Sequence, residues 1–367
     1  MLAVQLVSAR IGRITGAGVV ANVRRHLPTG VAHGLVILLL LANVATIAAD
    51  LAAVGEALAL LLGGPEQKFA LLAGIVSLVA QVAIPYRRYA AFLRWSTLAL
   101  FSYVAAAFAV SVDWPQALRA SVWPGTSWTR ESLMMLVAVL GTTISPYLFI
   151  WQAAQEIEEM SLARKPPLRD APDPGREFMR LRIDTGAGVM LSNMVAFFIM
   201  LTTAAALNPQ GVTEIETAAQ AAEALRPLAG DFAFGLFAVG IIGTGLLAIP
   251  VLAGSAAYSA SELFGGGFSL EKPFGRAPGL YGILIAATMA GAAIDFWDVP
   301  AMKLLIGAAL ANGLIAPPFL AAMMVVVSNP AAMGPHVAPL WLRALGWIAT
   351  AAMTLAVGML VVLSVIG

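Results

Sequence analysis

Residues 134–151 read MMLVAVLGTTISPYLFIW, an apolar run interrupted by a polar segment from Gly141 to Tyr147. Pro146 lacks the amide that a helix needs, and its ring clashes with the carbonyl four residues earlier, near Thr142, so the helix should kink or unwind. Inside a bilayer, irregular backbone persists only where it lines a cavity or faces protein. This stretch therefore predicts a membrane helix that is broken at a functional position.

The predicted break frees backbone carbonyls and places three hydroxyl groups beside them, those of Thr142, Thr143 and Ser145. Discontinuous helices of this kind form ion sites at the midplane of secondary transporters. The alternative is a plain proline kink whose threonines bond back to their own helix. The remaining candidate residues of the break are Gly141, Pro146 and Tyr147.

The composition requires a lipid environment. Of 367 residues, 60% are hydrophobic and 11% are charged, whereas soluble domains carry about a quarter charged residues. The net charge of +1 leaves no basic stripe for nucleic acid. Cysteine is absent, and His26, His33 and His336 lie at predicted span ends or loops, so a bound metal ion must be held by oxygen. We expect no cofactor, only a transported ion.

Ten apolar runs are long enough to cross about 30 Å of hydrocarbon as helices. They cover residues 1–20, 34–62, 69–84, 95–112, 133–155, 185–207, 232–263, 280–294, 300–327 and 340–366. The pattern predicts an all-α integral membrane protein of about ten transmembrane helices. Residues 1–367 then form a single transmembrane transporter domain.

Most of the 21 lysine and arginine residues fall on one side when these spans are threaded alternately through the membrane. Because positively charged loops remain in the cytoplasm, this side should be cytoplasmic. The loop 158–183 is then cytoplasmic, and the loop 208–231 is external. We expect a multi-pass protein of the plasma membrane, of the bacterial inner-membrane type.

A second group of polar residues lies in the run 34–62. Asn43, Thr46 and Asp50 are spaced by three and four residues, so they share one helix face, and Glu56 follows. An intramembrane carboxylate is costly unless it is paired or hydrated, so Asp50 should face the interior or water. Its role is either in an ion pathway or in a structural hydrogen bond to a neighbouring helix.

A third polar position lies in the run 300–327. Asn312 and Gly313, followed by Pro317 and Pro318, predict a second broken helix. Asn312 is a candidate metal ligand through its amide oxygen. The alternative is a role in helix packing.

Four segments resemble the NRAMP divalent-metal transporters. They are QLVSARIGRITG at 5–16, ADLA at 49–52, GTTISPYLFIWQ at 141–152 and AIPVLAGSAAY at 248–258, and they resemble that family's second, third, sixth and eighth helices in order. The resemblance implies the inverted-repeat fold of the leucine transporter. The family normally has eleven helices, so the ten spans would correspond to its second through eleventh. Its first helix, with a metal-binding Asp-Pro-Gly-Asn motif, has no counterpart, and we expect a chain without it.

Departures from the family pattern bear on the transported ion. Thr142 and Ser145 stand where classical members have alanine and methionine, and oxygen in place of thioether sulfur favours a hard cation such as Mg²⁺. In this respect the chain is similar to the NRAMP-related magnesium transporters. Tyr147 and Ala53 stand where the family has a histidine and a glutamate of its proton route. The resemblance therefore implies weak or absent proton coupling.

The sequence thus predicts a transporter of divalent metal cations, Mg²⁺ or Mn²⁺ or both, that works by alternating access. Thr142 would contribute a backbone carbonyl, and Ser145 a hydroxyl or a water-mediated contact. Two alternatives stay open: a coupled carrier of small organic solutes on the same fold, and a truncated membrane protein without transport. An enzyme is not expected, because no nucleophile and base fall at a common depth. The expected partners are the metal ion and the lipid bilayer.

Overall fold

The computed structural model of the chain describes residues 1–84, 88, 91, 95, 98–109, 112–122, 125, 129–170, 174–207, 211, 215, 217–223, 225, 230–265, 270, 274–297 and 299–366. Every regular element within these ranges is helical. The α-helices, numbered in chain order, are α1 (Leu2–Thr15), α2 (Val19–His26), α3 (Thr29–Leu62), α4 (Glu66–Ala83), α5 (Ser102–Ala109), α6 (Trp114–Val122), α7 (Arg130–Thr143), α8 (Pro146–Ala163), α9 (Gly175–Leu207), α10 (Ala218–Glu223), α11 (Ala233–Leu263), α12 (Pro278–Ile294), α13 (Ala301–Ser328), α14 (Pro330–Met333) and α15 (Leu340–Ile366).

Eight segments of the described chain are long and apolar enough to cross a membrane. They are α3, α4, α7 together with α8, α9, α11, α12 with the turn after it, α13 and α15. Each coincides with a predicted span, so the chain is an all-α, multi-pass membrane protein. Large apolar side chains on the outer faces, such as Leu41, Met190 and Val365, are exposed where lipid would cover them.

The two other predicted spans differ from expectation. The run 1–20 is divided, because α1 ends at Thr15 and Gly16 turns the chain with φ 65° before α2 begins. At 14 residues, α1 is shorter than a full crossing. The run 95–112 contains a 3-10 turn at Leu98–Phe101 followed by α5. Residues 96, 97, 110 and 111 of that span lie outside the described residues.

The core forms around α3, α11 and α13. Glycine allows the backbones to approach closely: a Cβ on Gly245 of α11 would overlap Val54 of α3. A Cβ on Gly291 of α12 would lie 2.9 Å from Cβ of Ile47. α1 is buried from Val4 to Ile14 and packs on α8. Small residues therefore bring the helices together around α3, as membrane packing favours.

The predicted second break is wrong. α13 runs without interruption from Ala301 to Ser328, with Pro317 and Pro318 inside it. Membrane helices tolerate proline where neighbouring helices hold the backbone in place. Gly313, four residues before Pro317, supplies that contact, because a Cβ there would lie 2.5 Å from the Val137 carbonyl of α7.

The helices also extend into the loops expected at 158–183 and 208–231. α8 continues to Ala163 and α9 starts at Gly175, which leaves residues 164–174 between them. Within 208–231, the described residues include α10. The side of the membrane on which each loop lies stays a prediction.

Candidate functional site

The backbone leaves helical geometry between α7 and α8. Ile144 has φ −119° and ψ 57°, and Ser145 has φ −82° and ψ 134°. Pro146 occupies the first position of α8, where its missing amide is not needed for helical bonding. The break predicted from Pro146 is therefore present, and it is an interruption of two residues.

The threonine hydroxyls of this segment are satisfied within α7. Thr142 Oγ1 donates to the Val139 carbonyl at 2.9 Å, and Thr143 Oγ1 donates to the same carbonyl at 3.0 Å. The alternative interpretation, that the threonines bond back to their own helix, is thus correct for these hydroxyls. The Thr142 carbonyl remains at the break, where it accepts from Ser145 Oγ at 3.2 Å.

Ser145 is the buried hydroxyl of the break, with only 1% of its surface exposed. Its Oγ donates to the carbonyls of Gly141 and Thr142. A hydroxyl that donates its proton keeps lone pairs that can accept a further bond or ligate a cation. Ser145 and the carbonyls it contacts therefore form a compact group of oxygen atoms.

Gly141 brings this group against α13. A Cβ at Gly141 would overlap the carbonyl of Ala309 and lie 2.5 Å from the amide nitrogen of Gly313. The two glycines thus let α7 and α13 cross with their backbones in contact. Asn312 lies between the two α13 residues that Gly141 meets.

Asn312 is 2% exposed and offers an unused oxygen. Its Nδ2 donates to Thr46 Oγ1 of α3 at 2.9 Å and to the Ala308 carbonyl at 3.0 Å. Its Oδ1 is buried and accepts no hydrogen bond. An unsatisfied buried acceptor costs about 1–3 kcal/mol, so a further partner for this atom would stabilise the structure.

Asp50 and Tyr147 complete the group of predicted site residues around the break. Asp50 lies four residues after Thr46 on α3, about 6 Å further along the axis. Its carboxylate is close enough to Tyr147 to interact electrostatically, and the Tyr147 side chain also interacts with that of Ser145. The predicted face of α3 therefore points towards the break.

The structure thus joins most of the predicted site residues through contacts. They run from the break to α13 through Gly141 and from α13 to α3 through Asn312 and Thr46, and Asp50 lies one turn further along α3. In the described residues, no three histidine, cysteine, aspartate or glutamate side chains converge as metal ligands. The donors gathered here are carbonyl, hydroxyl and amide oxygens, the kind that hard cations prefer.

Asn43 has a second unused amide oxygen on the same face of α3. It is fully buried, and its Nδ2 donates to Ser255 Oγ at 2.8 Å and to the Leu252 carbonyl at 2.9 Å. Its Oδ1 accepts no bond. The spacing of three residues from Asn43 to Thr46 indicated that they share a helix face. The hydrogen bonds of Asn43 to α11 could not be predicted, because they depend on the tertiary fold.

The acidic end of α8 is a structural cluster. Arg180 of α9 pairs with Glu156 at 2.7 Å and with Glu159 at 3.1 Å. Glu158 is buried and accepts from the Tyr258 hydroxyl at 2.6 Å. These carboxylates therefore tie α8 to α9 and α11.

An apolar helical bundle interrupted at a buried oxygen cluster defines a membrane transport protein rather than an enzyme. The family model described as natural resistance-associated macrophage protein-like, Nramp, matches residues 1–363. The chain belongs to the Nramp family. The predicted family resemblance is confirmed.

Relatives and solved structures agree with this assignment. Two proteins named divalent metal cation transporter MntH, from Klebsiella pneumoniae strain 342 and from Klebsiella pneumoniae subsp. pneumoniae strain ATCC 700721 / MGH 78578, are 24% and 25% identical over 374 residues. These matches cover 99% of this chain and 84% of each relative. The crystal structure of the Eremococcus coleocola manganese transporter, in complex with an aromatic bis-isothiourea substituted compound, is similar with a TM-score of 0.72 at 15% identity. It covers 97% of this chain and 76% of that chain, which confirms the transporter fold.

Proposed function

We propose that this Nramp-family membrane protein transports divalent metal cations, Mg²⁺ together with Mn²⁺, by alternating access across the plasma membrane. The cation binds at the break between α7 and α8. Its ligands include the Thr142 carbonyl, Ser145 Oγ directly or through a water molecule, and Asn312 Oδ1. The names of the Klebsiella relatives support a divalent metal cation as the substrate class.

One observation carries the proposal: Asn312 Oδ1 is buried without a hydrogen-bond partner, on the helix that crosses α7 at a break containing carbonyl and hydroxyl oxygen. An ion that ligates this atom would remove the cost of leaving it unsatisfied. Oxygen donors suit Mg²⁺ and Mn²⁺, whereas the thioether of a methionine favours softer metals. The serine at position 145 therefore favours the hard ions.

Coupling to protons is proposed to be weak or absent. Tyr147 and Ala53 stand at the positions of the family's histidine and glutamate, and neither replacement titrates near neutral pH. Asp50 remains on the site-facing side of α3 as the one carboxylate among the predicted site residues.

The alternative substrate is a small organic solute, carried by a coupled transporter of the same fold. Such a solute would need a charged or aromatic contact at the break. Thermal-shift screening of metals against organic solutes distinguishes the two substrates.

The test is metal uptake into proteoliposomes by the wild-type protein and by Ser145→Met. The thioether should lower Mg²⁺ uptake relative to Cd²⁺ uptake by about tenfold, a selectivity change of about 1.4 kcal/mol. Ser192→Met is the matched control, because Ser192 is exposed on α9 and bonds to its own helix. If both substitutions leave the Mg²⁺ to Cd²⁺ ratio at its wild-type value, the proposed ligand role of Ser145 is wrong.

A further inference from the structure

A polar cavity lies away from the helix break, where α3 ends and α4 begins. Its volume is about 290 Å³, and its described lining includes Glu56 of α3, Glu66 of α4 and Asp295, which follows α12. These three carboxylates are the charged groups of that lining. The cavity therefore has a strongly negative wall on the membrane face that the sequence predicts to be external.

Asp295 is the unusual member of this wall. Its side chain is 9% exposed, and both carboxylate oxygens are buried without a hydrogen-bond partner. It caps the C-terminal end of α12, where the helix dipole disfavours a negative charge. A carboxylate in such a place requires a compensating positive charge or a proton.

The dimensions of the cavity indicate how a cation would be held. Within the described chain, no three acidic side chains converge at the distances of direct metal ligands. The cavity has room for several water molecules, since each occupies about 30 Å³ in the liquid. Mg²⁺ gives up its waters reluctantly and is often bound with several of them retained.

From this geometry we infer that the cavity lined by Asp295, Glu56 and Glu66 is an entry site that binds a hydrated divalent cation before the cation reaches the helix break. Glu56 and Glu66 contact the ion mainly through its waters, and the buried Asp295 carboxylate attracts it by its charge. The inference rests on the proposed function only for the identity of the ion. Capture at this site raises the local concentration of the substrate, as negatively lined clefts do for cations.

The experiment counts bound Mn²⁺ by electron paramagnetic resonance, using purified protein in detergent. The wild-type protein should bind two ions, one at each site. Asp295→Asn should weaken one of these binding events by about tenfold and leave the other unchanged. Glu131→Gln is the control, because Glu131 is an exposed carboxylate in the first turn of α7 and does not line the cavity.

Two further variants distinguish failure of the proposed entry site from failure of the proposed site at the helix break. Glu66→Gln changes an exposed residue and should weaken the same binding event without affecting folding. Ser145→Ala should weaken only the binding of Mn²⁺ at the helix break. If that binding alone is lost, the inference of an entry site is unaffected. Melting without metal checks the fold, and Asp295→Asn should melt no lower than wild type because it removes a buried, unpaired carboxylate. Unchanged Mn²⁺ binding in both Asp295→Asn and Glu66→Gln would overturn the inference.

Discussion

At the scale of single residues, the site depends on where oxygen atoms are left unused. Thr142 and Thr143 donate their hydroxyls to the carbonyl of Val139, whereas the buried Ser145 hydroxyl donates to the carbonyls of Gly141 and Thr142 at the break itself. The sequence predicted the three hydroxyls but not the carbonyl that each of them contacts. The carbonyl that a hydroxyl contacts depends on the rotamer of its side chain and on the residue at which the helix ends. The sequence does not define that end.

Gly141 gives a residue-scale prediction about packing. Gly141→Ala should destabilise the protein by about 1–3 kcal/mol, because the new Cβ overlaps the Ala309 carbonyl and forces α7 away from α13. The measurement is the free energy of unfolding in detergent. Gly188→Ala in α9 is the control: no neighbouring atom lies within 4 Å of the position that its Cβ would occupy, so stability should be unchanged or slightly higher. Equal stabilities for the two variants would contradict the close crossing of α7 and α13.

At the scale of helices, two prolines that both lie in apolar predicted spans affect their helices differently. Pro146 starts α8 after two non-helical residues, whereas Pro317 lies inside the continuous helix α13. The sequence predicted breaks at both, and only the first is present. Whether a membrane helix unwinds at proline depends on what packs beside it, and the backbone contact of Gly313 with Val137 was not visible in the sequence.

Pro146 gives the corresponding prediction. Pro146→Ala restores an amide that can bond to the carbonyl of Thr142, so α7 and α8 should join and cover the carbonyls of the break. Uptake of Mg²⁺ into proteoliposomes should fall about tenfold or more, a loss of about 1.4 kcal/mol or greater. Pro278→Ala, at the first position of α12, is the control and should transport normally. Normal transport by Pro146→Ala would show that the break is not needed.

At the scale of the whole molecule, ten spans were predicted from hydrophobicity, and within the described residues eight of them coincide with helices long enough to cross. The order and type of these elements follow from apolar length alone, and the family assignment agrees with them. The convergence of α3, α7 and α13 on one site does not follow from length. It depends on glycine contacts and on the pairing of Asn312 with Thr46, which are 266 residues apart.

The Arg180 cluster gives a prediction for the stability of the whole molecule, because it ties α8 to the next helix, α9. Arg180→Ala leaves Glu156, which is 6% exposed, without its ion pair. We expect a loss of about 1–3 kcal/mol in the free energy of unfolding, below the value for a fully buried pair because Arg180 is partly exposed. Arg176→Ala, an exposed residue on the same helix, should have little effect. Equal losses in the two variants would contradict a specific role for Arg180.

The most direct test of the central claim is the position of a bound ion. Crystals soaked in Mn²⁺ should show an anomalous peak between α7 and α13, within coordination distance of the Thr142 carbonyl, Ser145 Oγ or a bridging water, and Asn312 Oδ1. The peak should disappear when Mg²⁺ is added in excess. A Mn²⁺-loaded crystal with no peak at the break, and with Asn312 Oδ1 bonded to protein instead, would contradict the account.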